Sequence, residues 1–315
     1  MVNDMGNIIV LGGTGFVGRN VCACLEENGI PHIIASKSTG TDLRCLDQCL
    51  AMLTETKPDY LINCAAHVGS LNYVTVQAAE VICDNSKMIL AMYEALAKVS
   101  PKTIVINPIA NCAYPGNADT FIEDQWQNGN IHRSVLSYGA TRRLLWSVAE
   151  CFSMEYNIQS INLMVPNMYG PNDSTDPNKA HALNALVSKF VKAEKTNQET
   201  LDIWGTGVAI REWLYAKDFA KIIVHIINNP KMVGLSEPVN IAQNFGLSVR
   251  ELIDIIKANF NYKGEIRYDP SKPDGAPKKV MDDRRFQKVF PEFKFTEFTE
   301  GLTKTIAYYE SVFPY

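Results

Sequence analysis

The sequence predicts an α/β fold: a doubly wound, mainly parallel sheet with helices on both faces, followed by a smaller C-terminal α/β lobe. Three observations carry this. Short apolar runs alternate with segments of helical period, a glycine-rich turn closes the first run, and 315 residues suffice for one main domain with an appended lobe.

The elements follow in order. "NIIVLGG" (7–13) is an apolar run entering glycines, and "FVGRNVCACLEENG" (16–29) has helical spacing and stops at Gly29. "PHIIAS" (31–36) is the next strand, "DLRCLDQCLAMLTET" (42–56) a helix, and "DYLINCAA" (59–66) a third strand. Residues 74–99 are long enough for one long or two short helices, and "KTIVINP" (102–108) is a strand. Such a β-α-β succession implies right-handed connections and a ligand crevice at the carboxyl ends of the strands. Residues 1–165 are expected to form mainly the dinucleotide-binding domain. Residues 166–315 are expected to form mainly the second lobe, with some chain returning to the first sheet.

Composition excludes several function classes. Hydrophobic residues make up 46%, charged residues 20%, and the net charge is −4, which disfavours nucleic acid and anionic membranes as main partners. The start "MVNDMGNIIVLGG" has no targeting pattern and no apolar run reaches membrane-spanning length, so a cytoplasmic protein is expected. The eight cysteines do not form matched CxxC pairs, and buried, reduced thiols are expected with no metal site.

Gly12, Gly15 and Gly18 form a G-x-x-G-x-x-G turn between strand and helix. Glycines there let backbone N–H groups approach a pyrophosphate, and the helix opening at Phe16 offers its positive end. After the second strand the chain reads "ASKSTG", with no carboxylate to repel a 2′-phosphate. Ser36 and Lys37 favour NADP(H) over NAD(H).

These segments, with "NCAAHVGSLNYVT", "ANCAYPG", "MVPNMYGPND", "IWGTGVAIREWLYAKD" and "DPSKPDGAPKK", resemble the Rossmann-type extended short-chain dehydrogenase/reductases of the NAD-dependent epimerase/dehydratase family, and most of all their GDP-L-fucose synthase group. The likeness runs from about residue 7 to 305. It implies an NADPH-dependent enzyme that epimerises a GDP-4-keto-6-deoxy-hexose, or a heptose analogue, beside its ketone and then reduces the ketone.

Ketone reduction needs a proton donor at the oxygen and stabilisation of the developing charge. Tyr138 in "SYGATRR" matches the family's acid, and Arg142 stands four residues on, where the family has lysine. A fixed cation there is expected to lower the phenol's pKa from its usual value of about 10. The family's serine is replaced by Ala110 in "ANC", and losing such a donor typically costs about 3 kcal/mol of transition-state stabilisation. Asn111 or a backbone N–H could take its place. Epimerisation needs an acid and a base on opposite faces of the sugar, and Cys112 and His181 match the family's pair. Ala65, Ala66, Pro166, Asn167 and Met168 match its cofactor segments. Lys189, Trp204, Arg211 and Lys272 are the expected substrate contacts. Each position also has a plain reading: a packed thiol at Cys112, a core indole at Trp204, an exposed loop charge at Lys272. Asp218 is expected in the N-cap region of its helix, and His32, His132 and His225 as surface or packing residues.

Helices over 76–98 and 137–156 look apolar on more than one face. In the family they pair across a two-fold axis, so the resemblance implies a homodimer through a four-helix interface. Two alternatives stand beside the leading one: an enzyme keeping only the epimerase or only the ketoreductase step, and a non-catalytic dinucleotide-binding subunit.

Overall fold

Strand β1 (Ile8–Leu11) is buried at every position and alternates between two cores. Ile8 and Val10 face one cluster with Phe219 and Ile223, while Ile9 and Leu11 face another with Leu53, Met92 and Leu145. Covering both faces of a strand is what makes its sequence read as continuously apolar. The computed structural model describes residues 6–176, 179–229, 231–232, 237–272 and 274–315. Residues 1–5, the very start in which a targeting pattern was sought, lie outside them.

Along the chain β1 is followed by α1 (Phe16–Glu27), β2 (Ile33–Ala35), α2 (Leu46–Thr56) and β3 (Tyr60–Asn63). The apolar run at 74–99 resolves into two helices, α3 (Leu71–Val76) and α4 (Ala78–Val99), broken at Gln77. The first begins earlier than its apolar pattern because Ser70 caps it, its side chain accepting from the Tyr73 N–H at 3.2 Å. Then come β4 (Ile104–Ala110), α5 (Leu136–Tyr156), β5 (Ser160–Val165), β6 (Asn167–Tyr169) and α6 (Ala182–Lys195). The second half adds β7 (Thr200–Trp204), β8 (Ile210–Arg211), β9 (Trp213–Tyr215), α7 (Ala216–Asn228) and β10 (Val239–Asn240). The chain ends with β11 (Leu247–Ser248), α8 (Val249–Lys257), β12 (Glu265–Asp269), β13 (Lys278–Lys279), α9 (Arg284–Val289) and α10 (Phe298–Val312).

Among the described residues, the main sheet runs β10-β5-β4-β3-β1-β2 with every pairing parallel. Its carboxyl ends carry Gly12, Ala65 and the 110–112 turn, the edge at which open parallel sheets bind ligands. Short sheets β11-β8-β13, β12-β7 and β6-β9 build the second lobe around Leu183, Phe190, Leu201, Trp213, Leu252 and Tyr309.

Asp218 lies in the first turn of α7, the N-terminal region expected for it, and is buried, its carboxylate accepting from the Thr296 N–H (2.7 Å), the Thr296 hydroxyl (2.7 Å) and Lys221 (2.8 Å). It anchors the segment before α10. One expectation is corrected. All eight cysteines are free, yet Cys83 and Cys151 are exposed, because they fall on the outer faces of α4 and α5.

An asparagine row crosses the middle of the sheet. Asn63 donates to Asn107 (3.0 Å), and Asn107 donates to Tyr93 (2.8 Å) and Asn162 (3.3 Å), all buried. Replacing Asn107 by leucine strands these partners inside the core. Each buried group left unpaired costs about 1–3 kcal/mol, so Asn107→Leu should lower unfolding free energy by about 2–4 kcal/mol in urea titrations. A loss below about 0.5 kcal/mol would contradict this role.

Candidate active site

The glycine turn is built for close approach. Gly12 has φ of +68°, and a side chain there would bring Cβ to 2.7 Å of the Ala65 Cα, so the ends of β1 and β3 touch through backbone alone. A Cβ at Gly18 would overlap the Gly12 carbonyl. Gly15 precedes α1, whose first turn holds no acidic residue, leaving its positive end unopposed at Phe16. Beyond β2, the Ser36 hydroxyl lies 3.1 Å from that of Thr14 and 3.0 Å from that of Ser38, and Lys37 is exposed alongside. This cradle, a hydroxyl cluster with an exposed lysine alongside, fits a phosphorylated dinucleotide. Ala65 and Ala66 lie half-buried past β3.

The segment 166–168 contributes less than expected. Met168 is buried in the core, and the Asn167 amide donates to the Glu212 carbonyl at 3.3 Å. The Met168 side chain is thus turned away from any cofactor, while Asn167 is partly exposed.

Helix α5 seats Tyr138 and Arg142. Gly139 makes this possible: a Cβ there would come within 2.5 Å of the Cys112 carbonyl oxygen. The Arg142 guanidinium sits 4.8 Å from the Tyr138 ring centroid and donates through Nη2 to Asn85 Oδ1 (3.1 Å). Asn85 also accepts from the His67 N–H (3.1 Å) and donates to the His67 carbonyl (2.8 Å), tying Arg142 to the loop after β3. Arg142 Nε is buried with no partner among the described residues. The expected lowering of the Tyr138 pKa is corrected here. Burial raises it, Arg142 pulls it down by less, and Cys112 adds to the rise. A guanidinium stacked on the ring acts mainly through its face and lacks the point charge of an ammonium.

At the end of β4, Ala110, Cys112 and Tyr138 pack in one small apolar cluster with Tyr73, Val74 and Val135. The Asn111 amide nitrogen is buried without a partner among the described residues, enclosed rather than turned to open cleft. Burial also pushes the Cys112 thiol up, against Lys279 and Arg142, which pull it down. In the free protein it is therefore a thiol.

His181 is held from behind. Its Nδ1 lies 3.2 Å from Asp173 Oδ2 and its backbone N–H donates to the same carboxylate at 2.8 Å. Asn184 donates to that oxygen as well, at 2.8 Å. With Nδ1 facing the Asp173 carboxylate, Nε2 is the ring nitrogen turned away from it. The imidazole centroid is 5.0 Å from that of Phe16, on the turn that opens α1.

The expected substrate contacts form two groups. Trp204 is half-exposed, with Lys189 Nζ at 5.9 Å and Lys272 Nζ at 5.7 Å from its ring. Lys189 also donates to the Asp202 carbonyl at 2.9 Å. Arg211 donates to the carbonyls of Ile210 and Asp274, both at 2.8 Å, and burial lowers its pKa to about 10. Its register partner on β13 is Lys279, buried, with pKa lowered to about 8 by burial and by Arg211. Neither cation forms an ion pair among the described residues.

The profile of the NAD dependent epimerase/dehydratase family matches residues 8–242. The chain belongs to that family. It is a family of enzymes, and two relatives show which members it is like. A GDP-L-fucose synthase from Azorhizobium caulinodans is 29% identical over 276 residues, 87% of each chain. A GDP-L-colitose synthase from Yersinia pseudotuberculosis is 27% identical over 307 residues, 96% of this chain and 97% of that one. The fold also matches a GDP-mannoheptose C4 reductase from Campylobacter jejuni, solved with NADP bound, at a TM-score of 0.83 and 21% identity, covering 96% and 98% of the chains.

Against that family background, sequence reasoning missed four residues: Asp173, Asn85, Lys279 and Glu212. Lys279 is the second lysine of "APKK", visible only once β13 is paired with β8. Glu212 is buried beside Arg211, and its carboxylate accepts the N–H groups of Gln243 (2.6 Å) and Met281 (2.8 Å). Burial raises its pKa to about 7.

Burial of a protonated thiol sets a chemical expectation. Brief iodoacetamide treatment at pH 8 should leave Cys112 largely unmodified in the folded protein and label it fully in urea, as read by peptide mass spectrometry. Fast labelling of Cys112 in the native state would contradict its placement.

Proposed function

We propose that this enzyme is an NADPH-dependent epimerase and 4-ketoreductase acting on a GDP-4-keto-6-deoxy-sugar, hexose or heptose. The observation that supports it best is His181, held by Asp173 and in tilted contact with Phe16 on the dinucleotide turn, in a chain that also packs Cys112 against Tyr138. A simple reductase needs Tyr138 but has no use for the other two.

In this reading Gly12, Gly15, Gly18 and Phe16 cradle the cofactor's diphosphate, and Ser36 with Lys37 receives its 2′-phosphate. NADPH, when bound, supplies the hydride. Cys112 and His181 exchange protons on opposite faces of the sugar beside the ketone, and Asp173 stabilises His181 whenever it holds the extra proton. Tyr138 delivers a proton to the ketone oxygen. Burial keeps its phenol protonated until the ketone arrives, and the Arg142 cation favours the phenolate left behind. Arg211 and Lys279 are like charges side by side on paired strands, neither within ion-pair distance of a carboxylate among the described residues, an arrangement that favours a diphosphate between them. Lys189, Trp204 and Lys272 form the outer wall for the nucleoside.

The test is incubation with freshly prepared GDP-4-keto-6-deoxy-mannose and NADPH in heavy water, following NADPH absorbance and deuterium in the sugar. Wild type should consume NADPH and incorporate deuterium. Tyr138→Phe should keep incorporation and lose oxidation, Cys112→Ser and His181→Asn should lose incorporation, and Asp173→Asn should slow it at least tenfold. Deuterium uptake without NADPH consumption in wild type would reduce the protein to an epimerase, and neither signal would end this reading.

We further propose a cytoplasmic homodimer formed through α4 and α5. These helices pack on each other and expose Ile82, Leu90, Met154 and Tyr156 outward. Sedimentation equilibrium should give twice the chain mass, and Leu90→Glu should shift it toward monomer. A monomeric wild type at micromolar concentration would exclude this assembly.

A further inference from the structure

His132 lies outside every motif that the proposed chemistry uses, yet it is fixed at the same cleft. Its Nδ1 is 2.7 Å from the Ser134 hydroxyl and accepts the Ser134 N–H at 3.4 Å, so the neutral ring carries its proton on Nε2. The Ser134 carbonyl in turn accepts from Thr75 at 2.9 Å, which fastens this turn to α3. Across the cleft stands the Gly275 turn. A Cβ built at Gly275 would meet Arg211 Nη2 at 3.3 Å and the Ser134 hydroxyl at 4.0 Å. The histidine turn and Arg211 thus border one narrow space.

We propose that His132 is a third contact for the substrate's diphosphate, joining Arg211 and Lys279 and binding it in the protonated form. This deepens the reading of the cleft as a nucleoside-diphosphate site and rests on it. Burial lowers the His132 pKa, and the charges facing it, Lys279 from β13 and Arg211 from β8, lower it further. In the free enzyme the ring is therefore neutral at neutral pH. A dianion placed among the three groups reverses the sign of the local field and favours the imidazolium, so binding takes up a proton.

The linkage has a definite direction. A group protonated in the complex and neutral in the free protein tightens binding as pH falls. Lys279 keeps its charge below about pH 8 and loses it above, whereas His132 contributes on the acid side, where the complex holds the extra proton. Glu212 titrates in the same range, but its carboxylate is turned to the N–H groups of Gln243 and Met281, and it stays the same in wild type and variant.

GDP-mannose is the probe, because its diphosphate is a diester with no proton to lose between pH 5.5 and 7.5. Calorimetric titration of the NADP-saturated protein should show affinity rising about fivefold across that range, with net proton uptake when buffers of different ionisation enthalpy are compared. His132→Asn keeps an acceptor near the Nδ1 position and removes the titration. Its affinity should match wild type at pH 7.5 and stay flat to pH 5.5. Equal slopes in the two proteins, or no proton uptake by wild type, would overturn the role of His132. Failure of GDP-mannose to bind wild type at any pH would overturn the diphosphate reading itself. His132→Gln, measured in the same way, keeps the comparison with wild type open if the asparagine variant does not fold.

Discussion

The substrate side of the molecule depends on one buried carboxylate. Glu212 holds the N–H groups of Gln243 and Met281 through its two oxygens, and its own N–H donates to the Lys279 carbonyl at 3.0 Å. Its carbonyl accepts the Asn167 amide. Segments that follow β5, β10 and β13 are thereby drawn to one residue, with Arg211 on one side of it in sequence. A carboxylate satisfied by backbone donors can stay buried, and replacing it by an apolar residue would leave those donors unmade. The positions of the cations that face the cleft follow from this knot.

A second tie serves the catalytic end. Asn85 is fully buried and joins the loop after β3 to Arg142, so the loop that meets Gly12 and the cation beneath Tyr138 are set together. The exchange of lysine for arginine is accommodated by this amide. An ammonium could point toward hydroxyls, whereas the planar guanidinium is parked between the tyrosine ring and the asparagine oxygen. Electrostatic help to the tyrosinate survives in a weaker form.

Much of the fold was legible because its signals are local. β1, β3 and β4 are continuous apolar runs, and α1 and α5 have helical spacing with recognisable ends. The glycine turn was legible because close backbone approach demands that residue. What escaped depends on pairing across the chain. Lys279 acquires meaning only as the register neighbour of Arg211, Asp173 only where the chain folds His181 back onto it, and Glu212 only where three distant segments meet. Met168 sits in a motif that names it, but β6 turns its side chain into the core. The Tyr138 pKa was misread for a related reason: spacing shows that a cation is near, but burial, which sets the larger effect, is a property of the folded whole.

Arg211 and Lys279, which form no ion pair among the described residues, also bear on the ligand-free protein. The two neighbouring cations repel, and the repulsion is part of the free energy of the ligand-free fold. An anion bound between them would remove it, so stability would rise with the logarithm of ligand concentration above the dissociation constant. The ligand-free protein is then the form more open to proteolysis.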